Sequence, residues 1–116
     1  YFVPTIVDHV ANDMTMFRQE TFGPVAAIIR VPDEETAIEV ANDSQYGLGG
    51  ALWTRDIEKA KRLARKIETG AVFINGMTTS NWKVPFGGIK RSGYGRELST
   101  WGPREFTNVQ TVWIEQ

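Results

Sequence analysis

A chain of 116 residues can hold one core, burying about 65% of the surface it exposes when unfolded. Lys and Arg number 13 and Asp and Glu 14, a net charge of −1; no positive field is left over to hold a phosphate backbone or an acidic membrane, which argues against nucleic acid and lipid as partners. The longest strictly apolar run covers only residues 25–29, far short of the ~20 a membrane-spanning helix needs, so a soluble, cytoplasmic protein is expected.

Cysteine is absent, which removes disulfides, thiolate nucleophiles and most structural zinc sites, and the single His9 leaves no imidazole pair, so no bound metal is expected. Tyr1 stands where a translation start would carry Met, and no charged and apolar leader follows it. That beginning predicts a segment of a longer protein.

In chain order, residues 25–31 are almost continuously apolar without alternation, the pattern of a strand buried on both faces in a parallel sheet. Pro32 and Asp33 end it. Asp33 is a good N-cap, Glu34 and Glu35 sit where the helix dipole favours negative charge, and Ala37, Ile38 and Ala41 supply an inward stripe before a stop around residues 42–50. Residues 50–54 read as a second strand. Asp56 then caps a helix in which Ile57, Ala60, Leu63, Ala64 and Ile67 recur with a period near 3.6. Its other face carries Lys59, Lys61, Arg62, Arg65 and Lys66 interleaved with Glu58 and Glu68, a solvated face rather than an anion site. Gly70 is expected to close this helix in the left-handed conformation, and residues 71–75 form a third strand. Strand, helix, strand, helix, strand defines an α/β fold with a parallel sheet and crossover helices.

The character changes after Asn75. Residues 76–83 are small and polar, and Gly87, Gly88, Gly93 and Gly95 follow closely in a structured loop leading to a short helix and a final strand. Gly88 and Gly93 have the glycine spacing of a phosphate-binding P-loop, but Tyr94 occupies the place of its lysine. Gly93, Gly95 and Leu98 imitate a dinucleotide fingerprint without its third glycine or its preceding strand. These glycines instead serve positive φ or a close backbone approach.

Three strings in fixed order, ETFGPV (residues 20–25), YGLGGALWT (46–54) and PFGGIKRSGYGRE (85–97), resemble signatures of the aldehyde dehydrogenase superfamily. The likeness begins at Tyr1, Phe2 and Pro4, runs through Val112, and corresponds to roughly the last quarter of a family member. NGM (75–77), Ser80, GRELS (95–99) and NVQTVW (108–113) are most similar to the bacterial succinate semialdehyde branch. The resemblance implies that residues 1–105 are the C-terminal part of the catalytic domain and 106–116 an oligomerisation strand.

The resemblance also implies roles. Glu20 would accept hydrogen bonds from the nicotinamide ribose of NAD or NADP, and Phe22 would pack near the nicotinamide ring; residue type alone favours a Glu20 that caps or pairs locally and a Phe22 in the core, and only the surrounding FGPV string reverses that preference. Gln19 stands where many members have Glu. Ser80 would help hold the distal carboxylate of the substrate, with Met77, Thr78 and Thr79 as pocket walls. Phe86 either lines the aldehyde tunnel or anchors the loop by packing. Glu97, with Arg96, resembles a pair near the end of a buried polar path, supporting the chemistry indirectly or fixing the loop as an internal ion pair. The nucleophilic cysteine and general-base glutamate of the family have no counterpart here, so the chain alone is expected to be inactive and to bind no cofactor. Residues 107–116, with Val109, Thr111, Val112, Trp113 and Ile114, call for a partner strand and suggest a homo-oligomer. The alternatives are an assembly fragment without catalysis, or a paralogue of the same fold that forms acyl-coenzyme A or reduces acyl phosphates.

Overall fold

In the computed structural model, which describes all of Tyr1–Gln116, the apolar run around Val25 pairs with a strand that the sequence pattern does not announce. Thr5–Val7 (β1) is short but wholly β-branched, and it runs parallel to Val25–Ala27 (β2) in the register Thr5↔Val25, Ile6↔Ala26, Val7↔Ala27. The four-residue helix α1, Thr15–Arg18, lies between them in sequence. Backbone bonds continue the pairing at both ends, from the Thr5 amide to the Pro24 carbonyl at 2.9 Å and from the Ile28 amide to the Val7 carbonyl at 2.8 Å. Just past the two strands, the Arg30 guanidinium grips the Asp8 carboxylate with Nη2–Oδ2 at 2.5 Å and Nε–Oδ1 at 3.0 Å. The expected strand over residues 25–31 is thus shortened to its first part, and its two-sided burial is not met. Val25 is half-buried, Ala26 and Ala27 are exposed, because β1 is the only ladder partner β2 has.

Helix α2, Glu34–Asn42, starts where the sequence places it: the Asp33 carboxylate accepts from the Thr36 amide at 2.8 Å, and Glu34 and Glu35 occupy the first turn. Its inward stripe is corrected by one position. Ala37 and Ile38 are half-buried as expected, but Ala41 is exposed and Val40, one turn beyond Thr36 and Ala37, faces inward in its place.

Residues 1–45 and 46–116 form two units. The second contains β3 (Tyr46–Gly47), β4 (Gly49–Leu52), helix α3 (Ile57–Ala64), β5 (Ala71–Ile74), β6 (Ile89–Lys90) and helix α4 (Trp101–Glu105). β4 and β5 are parallel, Gly49↔Ala71 through Leu52↔Ile74, with α3 as their crossover. β3 and β6, absent from the sequence reading, make a two-residue antiparallel ladder. The expected three-strand series is therefore realised as two parallel pairs, one in each unit, the first expected strand taking β1 as its neighbour.

α3 is the helix the periodicity describes. Asp56 accepts from the Lys59 amide at 2.9 Å, Ala60 is completely buried, and Leu63 and Ala64 are half-buried, but Ile57, expected on the same stripe, is exposed in the first turn. Lys61, Arg62, Arg65 and Lys66 lie exposed, with Lys61 paired to Glu58 at 2.7 Å, as a solvated face should. The helix ends at Ala64, earlier than expected, and Gly70 is not left-handed: the positive-φ glycines are Gly93 and Gly95.

Val10 and Ala60 are the only fully buried apolar residues, and Trp53, Phe106 and Trp113 are exposed by 69%, 92% and 83%. Residues 108–116 take part in no ladder within the chain. No helix is long and apolar enough to cross a membrane.

Two carboxylates couple this fold to pH. The Arg30 guanidinium, and then the His9 amide, hold the Asp8 pKa below its ordinary value, and the Thr36 amide does the same for Asp33. Lowered pKa values mean that the ionised forms favour the folded state, so this contribution is complete above the ordinary carboxylate range and is lost as pH falls through the folded values. Urea midpoints measured down an acid series should drop less steeply for Asp8→Asn than for the unmodified chain. Parallel curves would exclude the linkage.

Candidate functional site

Between α1 and β2 the chain is anchored before it reaches the first candidate residues. Arg18 stacks on the Phe17 ring 4.7 Å away, donates from Nε to the Asn12 carbonyl at 2.7 Å, and pairs through Nη1 with Asp43 at 2.8 Å. Two residues further on, Glu20 is exposed and makes no hydrogen bond or ion pair, so all its acceptor positions are open. Phe22 is 91% exposed and sits at φ 44°. An aromatic residue in the left-handed region costs about 1–2 kcal/mol. Neither local reading survives: Glu20 caps nothing, and Phe22 is not core.

The second group of candidates follows β5. Asn75, at φ 54°, turns the chain out of the strand, and its side chain replaces a strand neighbour: Oδ1 accepts from the Thr54 amide and Nδ2 donates to the Thr54 carbonyl, each at 2.8 Å. Thr78 then lies over Gly49 at the far end of β4. A Cβ on Gly49 would stand 2.6 Å from Thr78 Cγ2 and 2.8 Å from its Oγ1. Met77, Thr79 and Ser80 are exposed, and the Ser80 hydroxyl has no partner. Beyond Ser80 the chain is fixed again, by a turn in which Asn81 accepts from the Lys83 and Val84 amides and by the Ser99 amide bound to the Trp82 carbonyl at 3.0 Å.

The glycine loop owes its form to close approach more than to φ. A Cβ on Gly70 would overlap the Gly87 carbonyl oxygen, one on Gly87 would stand 2.6 Å from the Gly95 carbonyl, and one on Gly88 2.5 Å from Ser92 Cβ. This contact, rather than a helix end, explains glycine at position 70. The loop is tied down further by the Gly47 amide, which donates to Ser92 Oγ at 3.0 Å, and by the Lys90–Glu68 ion pair at 2.8 Å. Arg96 does fix the loop, but not by pairing with Glu97: its Nη1 donates to the carbonyls of Gly88 at 2.8 Å and Gly95 at 2.6 Å. Two backbone carbonyls converge on Nη1 there, a partner set that no residue-type pattern encodes. Glu97 pairs through its backbone with Phe86, amide to carbonyl in both directions at 2.9 and 2.8 Å, and is exposed rather than buried. Phe86, half-buried, lines an open cleft of about 400 Å³ with Leu48, Tyr94, Arg96, Glu97 and Phe106. Residues 77–80 lie outside that lining.

Parallel strand pairs joined by helices, with exposed polar and aromatic groups on the α1–β2 and β5–β6 connections, define an α/β fold. Its sequence matches the model of the aldehyde dehydrogenase family over residues 1–112, and the chain belongs to that family. It is 51% identical over 98% of its length to a protein of Mycobacterium ulcerans named succinate-semialdehyde dehydrogenase [NADP(+)] 1, and 51% identical over its whole length to the succinate semialdehyde dehydrogenase [NAD(P)+] Sad of Escherichia coli. The chain spans about a quarter of each of these relatives, 25% in both cases. Among solved structures, the Streptococcus pyogenes succinic semialdehyde dehydrogenase in complex with NADP+ superimposes with a TM-score of 0.94 at 51% identity, covering 100% of this chain and 26% of that one.

Gly70→Ala tests the backbone contact that fastens the glycine loop. Overpacking of this kind costs about 1–3 kcal/mol, and the substitution should lower the urea midpoint accordingly while Gly76→Ala, whose Cβ would have no neighbour nearer than 3.9 Å, changes it far less. Equal effects would remove the steric account.

Proposed function

We propose that this chain is the part of an NAD(P)-dependent aldehyde dehydrogenase that supplies the nicotinamide-side and substrate-side walls of its site, and that the enzyme oxidises succinate semialdehyde to succinate. The observation that carries the reading is the likeness, over essentially the full chain, to proteins named for that reaction. The overall change is aldehyde, water and NAD(P)+ to carboxylate, NAD(P)H and protons.

The exposed groups fit the nucleotide. Glu20 presents an unpartnered carboxylate, an acceptor-only group matched to two vicinal ribose hydroxyls. Phe22 holds an open aromatic face on a strained backbone, suited to restricting which side of a planar ring meets substrate. When bound, the nucleotide accepts hydride. On the substrate side the free Ser80 hydroxyl donates to the distal carboxylate, worth about 1.5–3 kcal/mol, or tenfold to a hundredfold in preference. Thr79 and Met77 flank it. Phe86 sits in the glycine loop, and Glu97 supports that loop from the opposite side of their shared bridge.

With Cys absent from the sequence, the attacking thiolate and its partner base belong to other parts of the enzyme, and the isolated chain should form no reduced nicotinamide. Two ribose hydrogen bonds contribute at most about 3–6 kcal/mol, against an association cost of about 4–15 kcal/mol, so it should bind no nucleotide by itself. In the complete enzyme, Glu20→Gln should raise KM for NAD(P)+ about tenfold or more, the loss of a charge-assisted hydrogen bond, with KM for the aldehyde little changed. An unaltered nucleotide KM would contradict the assignment of Glu20.

The exposed C-terminal residues support a further part of this reading. Val109, Val112, Trp113 and Ile114 are exposed by 91%, 77%, 83% and 80% on backbone without a ladder partner, as suits a strand that joins a sheet in a homo-oligomer. Light scattering on the complete enzyme should show a smaller assembly for Ile114→Asp than for the unmodified protein. An identical mass for both would count against the strand.

A further inference from the structure

The loop bearing Ser80 is held at its near side by two contacts of different kinds. At one end of the β4–β5 pair, where Leu52 and Ile74 are opposite each other, Asn75 clamps the backbone of Thr54 through two hydrogen bonds. At the other end, where Gly49 faces Ala71, Thr78 rests on the bare Cα of Gly49. Only Gly76 and Met77 separate the two anchors, and only Thr79 separates the second anchor from Ser80, which the Asn81 turn follows at once. A change in the height of Thr78 above β4 is therefore passed on to the Ser80 hydroxyl.

We infer that Gly49 is a positioning residue for substrate specificity: its missing side chain is the seat for Thr78, and that seat sets where Ser80 meets the carboxylate of a short ω-carboxyl aldehyde. The inference rests on the substrate-side role proposed above for Ser80. A methyl group at position 49 would come within 2.6 Å of Thr78 Cγ2 and 2.8 Å of Oγ1, but only 3.3 Å from Thr78 Cβ. The severe part of the clash is thus carried by the two terminal atoms of Thr78 and goes when they are removed, leaving a tight contact at Cβ that a shift of a few tenths of an ångström relieves. Gly49 itself touches no substrate; it acts through Thr78.

The complete enzyme provides the test, with succinate semialdehyde and butanal as the probes that differ in the distal carboxylate. Gly49→Ala should raise KM for succinate semialdehyde between tenfold and about a hundredfold, as a misplacement near 1 Å does, with KM for NAD(P)+ and for butanal nearly unchanged. When Thr78→Ala is already present, adding Gly49→Ala should change KM by less than about twofold, because the clashing atoms are gone. Thr78→Val retains both terminal heavy-atom positions and should preserve the full effect of Gly49→Ala. If Gly49→Ala does not fold, Thr78→Ile enlarges the other partner over an unaltered Gly49 and should raise the same KM. Additive effects of Gly49→Ala and Thr78→Ala, or an equal KM rise for both aldehydes, would overturn the inference. A complete enzyme that does not prefer succinate semialdehyde to butanal would instead overturn the substrate reading, and non-additive effects of Gly49→Ala and Thr78→Ala on the KM for butanal would then still show Thr78 seated on Gly49.

Discussion

Where Gly70 meets the carbonyl of Gly87, two stretches of backbone lie so close that position 70 can carry no side chain. The second unit is organised around that approach. The Gly70 amide donates to the Gly47 carbonyl at 3.0 Å and the Gly47 amide to Ser92 Oγ at 3.0 Å, so β3, the entry to β5 and the glycine loop share one joint. Arg96 closes the same loop from within by gathering the carbonyls of Gly88 and Gly95. In a chain whose only fully buried apolar residues are Val10 and Ala60, tertiary order comes less from side-chain packing than from such backbone contacts and their hydrogen bonds. The glycine loop that carries Phe86 inherits its position from this network.

Features governed by neighbours in sequence were legible before the structure. Asp33 and Asp56 announce α2 and α3 because capping is a contact over three residues, and the stripe along α3 reads correctly from Ala60 to Ala64 because those residues are close in the helix. Features governed by distant neighbours were not. β1 is too short to show alternation and is a strand only because Val25–Ala27 is beside it. Gly70 stands at a plausible helix end, so a local rule explains it wrongly while the Gly87 carbonyl explains it rightly. The exchange of Ala41 for Val40 is a rotation within one turn, which two half-apolar faces do not distinguish.

The candidate site divides in the same way. Glu20 and Phe22 were named through the string around them, since a lone carboxylate and a lone aromatic carry no signal of their own; the structure adds that both are exposed, one without partners and the other in a costly conformation. The Ser80 loop was recognised, but its two anchors were not. Asn75 gives a hint, as a residue tolerant of positive φ placed at the end of an apolar strand, whereas nothing in the sequence joins Thr78 to Gly49 across the intervening helix.

The four tryptophans of the chain, Trp53, Trp82, Trp101 and Trp113, are exposed by 69%, 73%, 51% and 83%. Each indole is therefore a fluorophore in water, and each stands at a different place: after β4 beside the Asn75 clamp, in the turn following Ser80, in α4, and in the C-terminal segment. Whatever comes to cover one of these faces will shift the emission of its own indole toward shorter wavelength. The protein thus carries intrinsic optical labels at four separate places on its surface.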